Sequence, residues 1–284
     1  MRLWRFSSAC VLGALALAVP VTTLTGCAGE PPRTALSYTA DARRAYEAAM
    51  EDFKAHNWID AQAAFRELKR KYSFTKYAKL AELRIADADY EQDKYAEAVR
   101  EYRQFIHDHR SDDEDVAYAR SRIAEAQFAQ IPESFLLPSP EERDQASVVD
   151  AYKELRGFLH DYPDAKESAH VRKLLGEATA RLVRHELYVA RFYLDKTNFK
   201  AAVARIQYAL RNFSVASGQE VGDTATTDSG LEPDALLLLG EVYLQMHDWK
   251  DARQSFLTIL HRYPRSAITT PAKGYLKLME VRGV

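Results

Sequence analysis

One register recurs five times in this chain of 284 residues, and it leaves few folds open. Take Trp58, Tyr95, Val148, Phe199 and Trp249 as position 0. Three residues on stand Ala61, Ala98, Ala151, Ala202 and Ala252, so position 3 is Ala in all five copies. Position 7 holds Phe65, Tyr102, Leu155, Ile206 and Phe256, and position 14 holds Tyr72, His109, Tyr162, Phe213 and Tyr263. Positions 0, 3, 7, 10 and 11 fall on one stripe of a helix with about 3.6 residues per turn. An Ala on that stripe lets two helix backbones approach closely, where a larger side chain would overpack. The aromatic at position 14 predicts the helix end. Pro follows it in Tyr162-Pro163 and Tyr263-Pro264 and blocks continuation.

A second helix precedes each of these. Nine residues before position 0 sit the small residues Ala49, Ala86, Ala190 and Gly240, and five before it sit Phe53, Tyr90, Leu194 and Leu244. The third copy fits, with Ala124 and Phe128, once residues 131–145 are set aside as an insertion. Each unit therefore reads as helix, tight turn, helix. The copies are 37, 53, 51 and 50 residues apart. The first spacing is near the tetratricopeptide period of about 34 residues, and the others exceed it through longer helices or loops. The expected fold is all-α, a tetratricopeptide-type helical repeat solenoid of about five helix-turn-helix units. Solenoids offer long surfaces for holding other proteins more often than they build active sites.

The N-terminus carries a compartment signal. Met1-Arg2-Leu3-Trp4-Arg5 is basic, and Ala9 to Val19 is an apolar run of 11 residues. That run is too short to span a bilayer and suits a signal peptide. Leu24-Thr25-Gly26-Cys27 then resembles a bacterial lipobox. Residues 1–26 are expected to be a signal peptide and Cys27 the lipid attachment site. Residues 27–37 would be a polar tether and 38–284 the repeat domain. The competing reading is an ordinary signal peptide with an incidental Cys. Ala28, in place of Asp, resembles lipoproteins sent to the outer membrane. If Cys10 leaves with the signal and Cys27 is acylated, the domain has no thiol, so packing alone must hold it.

Charge and motif spacing narrow the function. Without the two Arg of residues 1–26, 37 Lys and Arg face 41 Asp and Glu, a net of −4. This argues against nucleic acid and against a polybasic membrane patch. His185-Glu186 lacks the second His of a zincin helix. His107 and His109 fall on different helix faces, and His109 occupies position 14, where a packing role is expected. No phosphate loop, nucleophile elbow or dinucleotide fingerprint is present. The sequence predicts no enzyme, no metal and no cofactor. Two stretches interrupt the array. Residues 131–145, with Phe135-Leu136-Leu137 among three Pro, read as an inter-helix loop or as a partner contact; residues 214–230 read as flexible. A closing helix is expected over Ala272 to Val281.

One segment is more specific than the repeats. Arg181-Leu182-Val183-Arg184-His185-Glu186-Leu187-Tyr188-Val189-Ala190-Arg191-Phe192-Tyr193, followed by Phe199-Lys200-Ala201-Ala202-Val203-Ala204-Arg205, resembles the fourth repeat of the BamD family. That family is the tetratricopeptide lipoprotein subunit of the outer-membrane β-barrel assembly machinery. Val183 stands where the family usually has Ala, and Ser73 and Ser214 where it often has Pro. The resemblance spans about residues 38–265 and includes the lipobox and the insertion in repeat three. It implies a periplasm-facing scaffold at the outer membrane, anchored to the membrane through lipid. Its partners would be the β-barrel insertase with periplasmic repeat domains, other assembly-machine lipoproteins and unfolded outer-membrane proteins.

The resemblance places an insertase contact at Arg205, with Glu186 and His185 of the same segment beside it. An Arg offers a planar fork to a partner carboxylate. The alternative for Arg205 is a pair within the chain, with Glu186. Substrate would meet the N-terminal repeats, with Tyr46 and Tyr77 as candidates on first helices. A second functional reading is another tetratricopeptide lipoprotein, such as a type IV pilus pilotin or a coordinator of cell-wall enzymes. Repeats and lipobox alone fit either; residues 181–205 favour the assembly scaffold.

Overall fold

The computed structural model describes residues 34–111, 113–133, 138–213 and 229–284. Cys27, Phe135-Leu136-Leu137 and most of the 214–230 stretch lie outside the described residues. Eleven helices run in chain order through the described part: α1 (Ala35–Lys54), α2 (Trp58–Lys71), α3 (Lys76–Tyr90), α4 (Tyr95–Asp108), α5 (Asp113–Ala129), α6 (Ala146–Asp161), α7 (Ser168–Asp195), α8 (Phe199–Asn212), α9 (Glu232–Gln245), α10 (Trp249–Arg262) and α11 (Thr269–Arg282). They pair as α1–α2, α3–α4, α5–α6, α7–α8 and α9–α10, and α11 closes the stack. Each helix packs mainly on its neighbours in sequence. Five apolar clusters follow one another along the stack, each built from one pair and the first helix of the next. Burial is thus nearest-neighbour, as a solenoid requires.

The register maps onto this fold residue by residue. Position 0 is the first residue of α2, α4, α8 and α10 and the third of α6. Position 14 is the C-cap residue of all five second helices. All five Ala at position 3 and all five side chains at position 7 are fully buried. The small residues nine before position 0 face this stripe. At Gly240 a Cβ would lie 2.4 Å from the Phe256 ring, so position 7 of repeat five packs directly on a helix backbone. The turn before position 0 repeats as well. His56, Asp93, Thr197 and His247, at position −2, have φ of 63°, 59°, 56° and 59°. In each turn two backbone N–H groups reach back to close the first helix, as in Asp93 N to Tyr90 O at 3.0 Å and Lys94 N to Asp89 O at 3.0 Å. This is a Schellman closure with no Gly in the left-handed place.

Three features depart from the sequence expectation. Helix α1 begins at Ala35, capped by the Thr34 hydroxyl accepting from Ser37 N at 3.2 Å, so residues expected in the tether are helical. The closing helix is longer than expected, and Arg253 Nη2 donates to Val284 O at 2.5 Å to pin its end. Helix α7 has 28 residues, about 42 Å, and serves as a platform for the insertion in repeat three. Arg143 ties that insertion together by donating to Pro132 O at 2.7 Å and Pro138 O at 2.6 Å. Arg181 pairs with Glu133, and His185 Nδ1 lies 2.7 Å from Glu141 O. The described part of the insertion is thereby laid along one stripe of α7.

Candidate partner-binding site

Arg205 and Glu186 come together across the α7–α8 pair. Glu186 on α7 is buried and Arg205 lies in the second turn of α8; the two helices pack on one another across a tight turn, with Ala190 and Ala202 fully buried in their shared core. Arg205 Nη1 is 3.3 Å from Glu186 Oε2. The two ends of this pair differ in solvation: the Glu186 side chain is 9% exposed and that of Arg205 is 45% exposed. Within the isolated chain the pair is therefore intramolecular, while much of the guanidinium still faces solvent and has further donors to offer. His185 does not join them. One residue along a helix turns the side chain by about 100°, and His185 faces the insertion instead.

The N-terminal candidates also meet. The Tyr46 and Tyr77 rings are 5.8 Å apart, and Tyr46 lies 5.6 Å from Phe65 of the first core. Both are half-buried. Burial pushes the Tyr46 phenol up, and nearby Arg84 opposes the shift. They form the rim of the first apolar cluster, with Lys76 Nζ 5.3 Å from the centre of the Tyr77 ring.

Beyond this rim lies a polar core that the sequence reading missed. Asp87 on α3 is 3% exposed. It accepts from the Tyr118 hydroxyl at 2.9 Å and from the Tyr102 hydroxyl. Arg84 Nη1 is 2.8 Å from its second oxygen. Arg122 on α5 lies 3.7 Å above the Tyr90 ring and 2.8 Å from Glu125. Burial, first, and the Asp87 charge, second, raise the Tyr102 and Tyr118 phenols, so both stay protonated donors. The arrangement fixes charges against one another, with Asp87 Oδ2 and Arg84 Nε buried and making no hydrogen bond of their own. Arg84 and Asp87, three apart on a helix, look in sequence like a routine surface pair. The available signal was Asp87 and Glu125 falling at the same repeat position, −8, next to a fully buried stripe. Among the described residues, no group of three or more His, Cys, Asp and Glu is placed to hold a metal ion.

A family model described as "Outer membrane lipoprotein" (YfiO) matches residues 39–222. This chain belongs to the YfiO family. The match spans Tyr46, Tyr77, the polar core, Glu186 and Arg205, and begins after Cys27. A tetratricopeptide repeat model matches residues 234–266, the pair α9–α10. Several curated relatives bear the name "Outer membrane protein assembly factor BamD". The one from Caulobacter vibrioides is 23% identical over 93% of this chain and 79% of its own length. The one from Xylella fastidiosa strain 9a5c is 23% identical over 78% of this chain and 72% of its own. Among solved structures, the TPR2AB-domain:pHSP90 complex of yeast Sti1 aligns with a TM-score of 0.42 and 11% identity, over 84% of each chain.

Proposed function

We propose that this chain is a scaffold for the assembly and insertion of β-barrel outer-membrane proteins. It is held on the periplasmic face of the outer membrane by lipid on Cys27. It docks on the barrel insertase, alongside other assembly-machine lipoproteins, and receives unfolded barrel proteins at its N-terminal repeats. It works by binding and positioning, without catalysis or cofactor. Family membership and the names of the two relatives support the reading; the pilotin and cell-wall readings have no such support. The observation that carries the docking part is the solvation of the Arg205–Glu186 pair. A buried carboxylate holds the guanidinium in place, and the exposed edge can accept a partner carboxylate at little ordering cost. His185 enters only indirectly, by holding the insertion against α7. Tyr46 and Tyr77 would supply the apolar rim for substrate.

Affinity capture from detergent-solubilised membranes tests this. The expected prey is an outer-membrane barrel protein with periplasmic repeats. Arg205→Glu should weaken that association by about 2–5 kcal/mol, since a partner carboxylate would then face a like charge. Glu186 would face one too, so the thermal midpoint must be read on the same sample. Full capture by a normally folded Arg205→Glu protein removes Arg205 from the interface. Recovery of pilus or cell-wall proteins in place of a barrel protein would move the chain to the second reading.

A further inference from the structure

The two most exposed large apolar side chains of the described chain sit at one end of repeat one. Leu36 is 85% exposed in the first turn of α1, and Phe74 is 96% exposed in the turn between α2 and α3. The start of α1, the end of α2 and the start of α3 converge here. Tyr38 donates to Lys71 O at 2.9 Å, and its ring meets the C-cap Tyr72 edge-on at 5.1 Å. The Thr75 hydroxyl then accepts from Ala78 N at 3.3 Å to start α3. Phe74 is thus presented by a firm floor and packs on nothing. Register argues that the fold does not need it. Phe74 is position 16 of repeat one; repeats two, three and five have Ser111, Asp164 and Arg265 there and repeat four has Val215, so no aromatic recurs at this position. Lys71 and Lys76 flank it, with their ammonium groups beside the Tyr72 and Tyr77 rings.

We propose that this end of repeat one rests in the interface of the membrane that holds the anchor, with Phe74 and Leu36 among the lipid headgroups and Lys71 and Lys76 on their phosphates. The inference rests on the reading of Cys27 as the lipid attachment site. Thr34, where the described chain begins, is seven positions on from Cys27, a reach of at most about 25 Å. The lipid therefore holds this end, and no other, close to the bilayer. Two side chains and two lysines would not bind a membrane unaided. Tethered so closely, their contact becomes intramolecular and its effective concentration high. Aromatic and aliphatic side chains beside Lys and Tyr suit the headgroup layer, where long cationic stems can reach phosphate. The repeat stack would then stand at a set angle on the membrane, with the Arg205 edge held away from it.

A thiol dye reads the contact directly. With Cys10 removed and Cys27 acylated, Ser73→Cys gives the lipidated full chain one reactive thiol beside an intact Phe74. Ile59→Cys gives one at the other end of α2. Both are labelled with an environment-sensitive nitrobenzoxadiazole dye and reconstituted in vesicles of phosphatidylethanolamine and phosphatidylglycerol. The expected result is a brighter, blue-shifted signal at residue 73, quenched by brominated acyl chains and lost on Phe74→Asp, with an aqueous signal at residue 59. Matching signals at the two sites on floated vesicles would overturn the contact and leave the anchor standing. Failure of the chain to float, or dye uptake by Cys27 of the unsubstituted chain, would overturn the anchor and this contact with it.

Discussion

Repeats two and five bury the same register position in opposite ways. In repeat five the position 7 residue is Phe256, stacked on Tyr275 at 5.0 Å and set against Gly240 with no room for a Cβ. In repeat two it is Tyr102, equally buried, with Ala86 in place of Gly240. Its hydroxyl must be satisfied inside the stack, and Asp87 satisfies it. A buried carboxylate in turn needs cations, which Arg84 and Arg122 supply from α3 and α5. One hydroxyl at a crossing is thus accompanied by a network that joins three helices. In repeat five ring shape fixes the crossing, and a polar tie beside it, the Tyr275 hydroxyl donating to Glu241 at 2.9 Å, lies at the half-buried edge. In repeat two, charge and hydrogen-bond geometry fix it, beside the Tyr46–Tyr77 rim proposed for substrate.

The comparison breaks most sharply at Asp87. Asp87→Ala removes the acceptor of two phenols and the counter-charge of two arginines. Breaking a buried pair from one side costs about 3–5 kcal/mol, and the arginines are partly solvated, so about 3 kcal/mol is expected. A urea unfolding midpoint measures it. A loss under about 1 kcal/mol would mean that water replaces the carboxylate and that the network is no brace.

In repeat five the equivalent break is Gly240→Ala. Helix propensity favours the change by about 1 kcal/mol, and overpacking opposes it by about 1–3 kcal/mol. The added Cβ meets a ring that Tyr275 holds from the other side, so overpacking should win by about 1 kcal/mol. Phe256→Leu in the same chain should relieve it, leaving the double variant more stable than the two single losses predict. Additive losses would show that the ring is not what Gly240 makes room for.

These cases also show what could be read from sequence. Positions 3, 7 and 14 were legible because each is one residue type or one class in five copies; burial is complete at positions 3 and 7, while at position 14, the helix end, only Tyr72 is buried and the other four are half-buried. The left-handed turn residue was not: its four occupants are His, Asp, Thr and His, and the sequence signal for such a turn is Gly. The polar core was hidden because its members come from three helices and each has an ordinary local explanation. Of the candidate site, the Arg205–Glu186 pair was legible as an alternative. His185's engagement with the insertion was not, since its acceptor is a backbone carbonyl of a Pro-rich segment, which has no period.

The turn at position −2 is what repeats two, four and five share unchanged, and it should respond with the smallest effect. Left-handed backbone costs an L residue about 1–2 kcal/mol, more for a β-branched one. Gly removes that cost and adds about 0.5–1 kcal/mol of unfolded-chain entropy. Thr197 is β-branched, and its hydroxyl reaches only the neighbouring Lys196 O at 2.7 Å. Thr197→Gly should therefore stabilise the chain by about 0.5–1 kcal/mol. His247→Gly gains less, because its ring lies 5.2 Å from Trp249, and Asp93→Gly less again, because Asp93 accepts from the Tyr95 hydroxyl at 2.5 Å. Thermal midpoints of the three variants give the order. If Asp93→Gly stabilised as much as Thr197→Gly, the Tyr95 contact would add nothing, and repeats two and five would differ at the helix crossing alone.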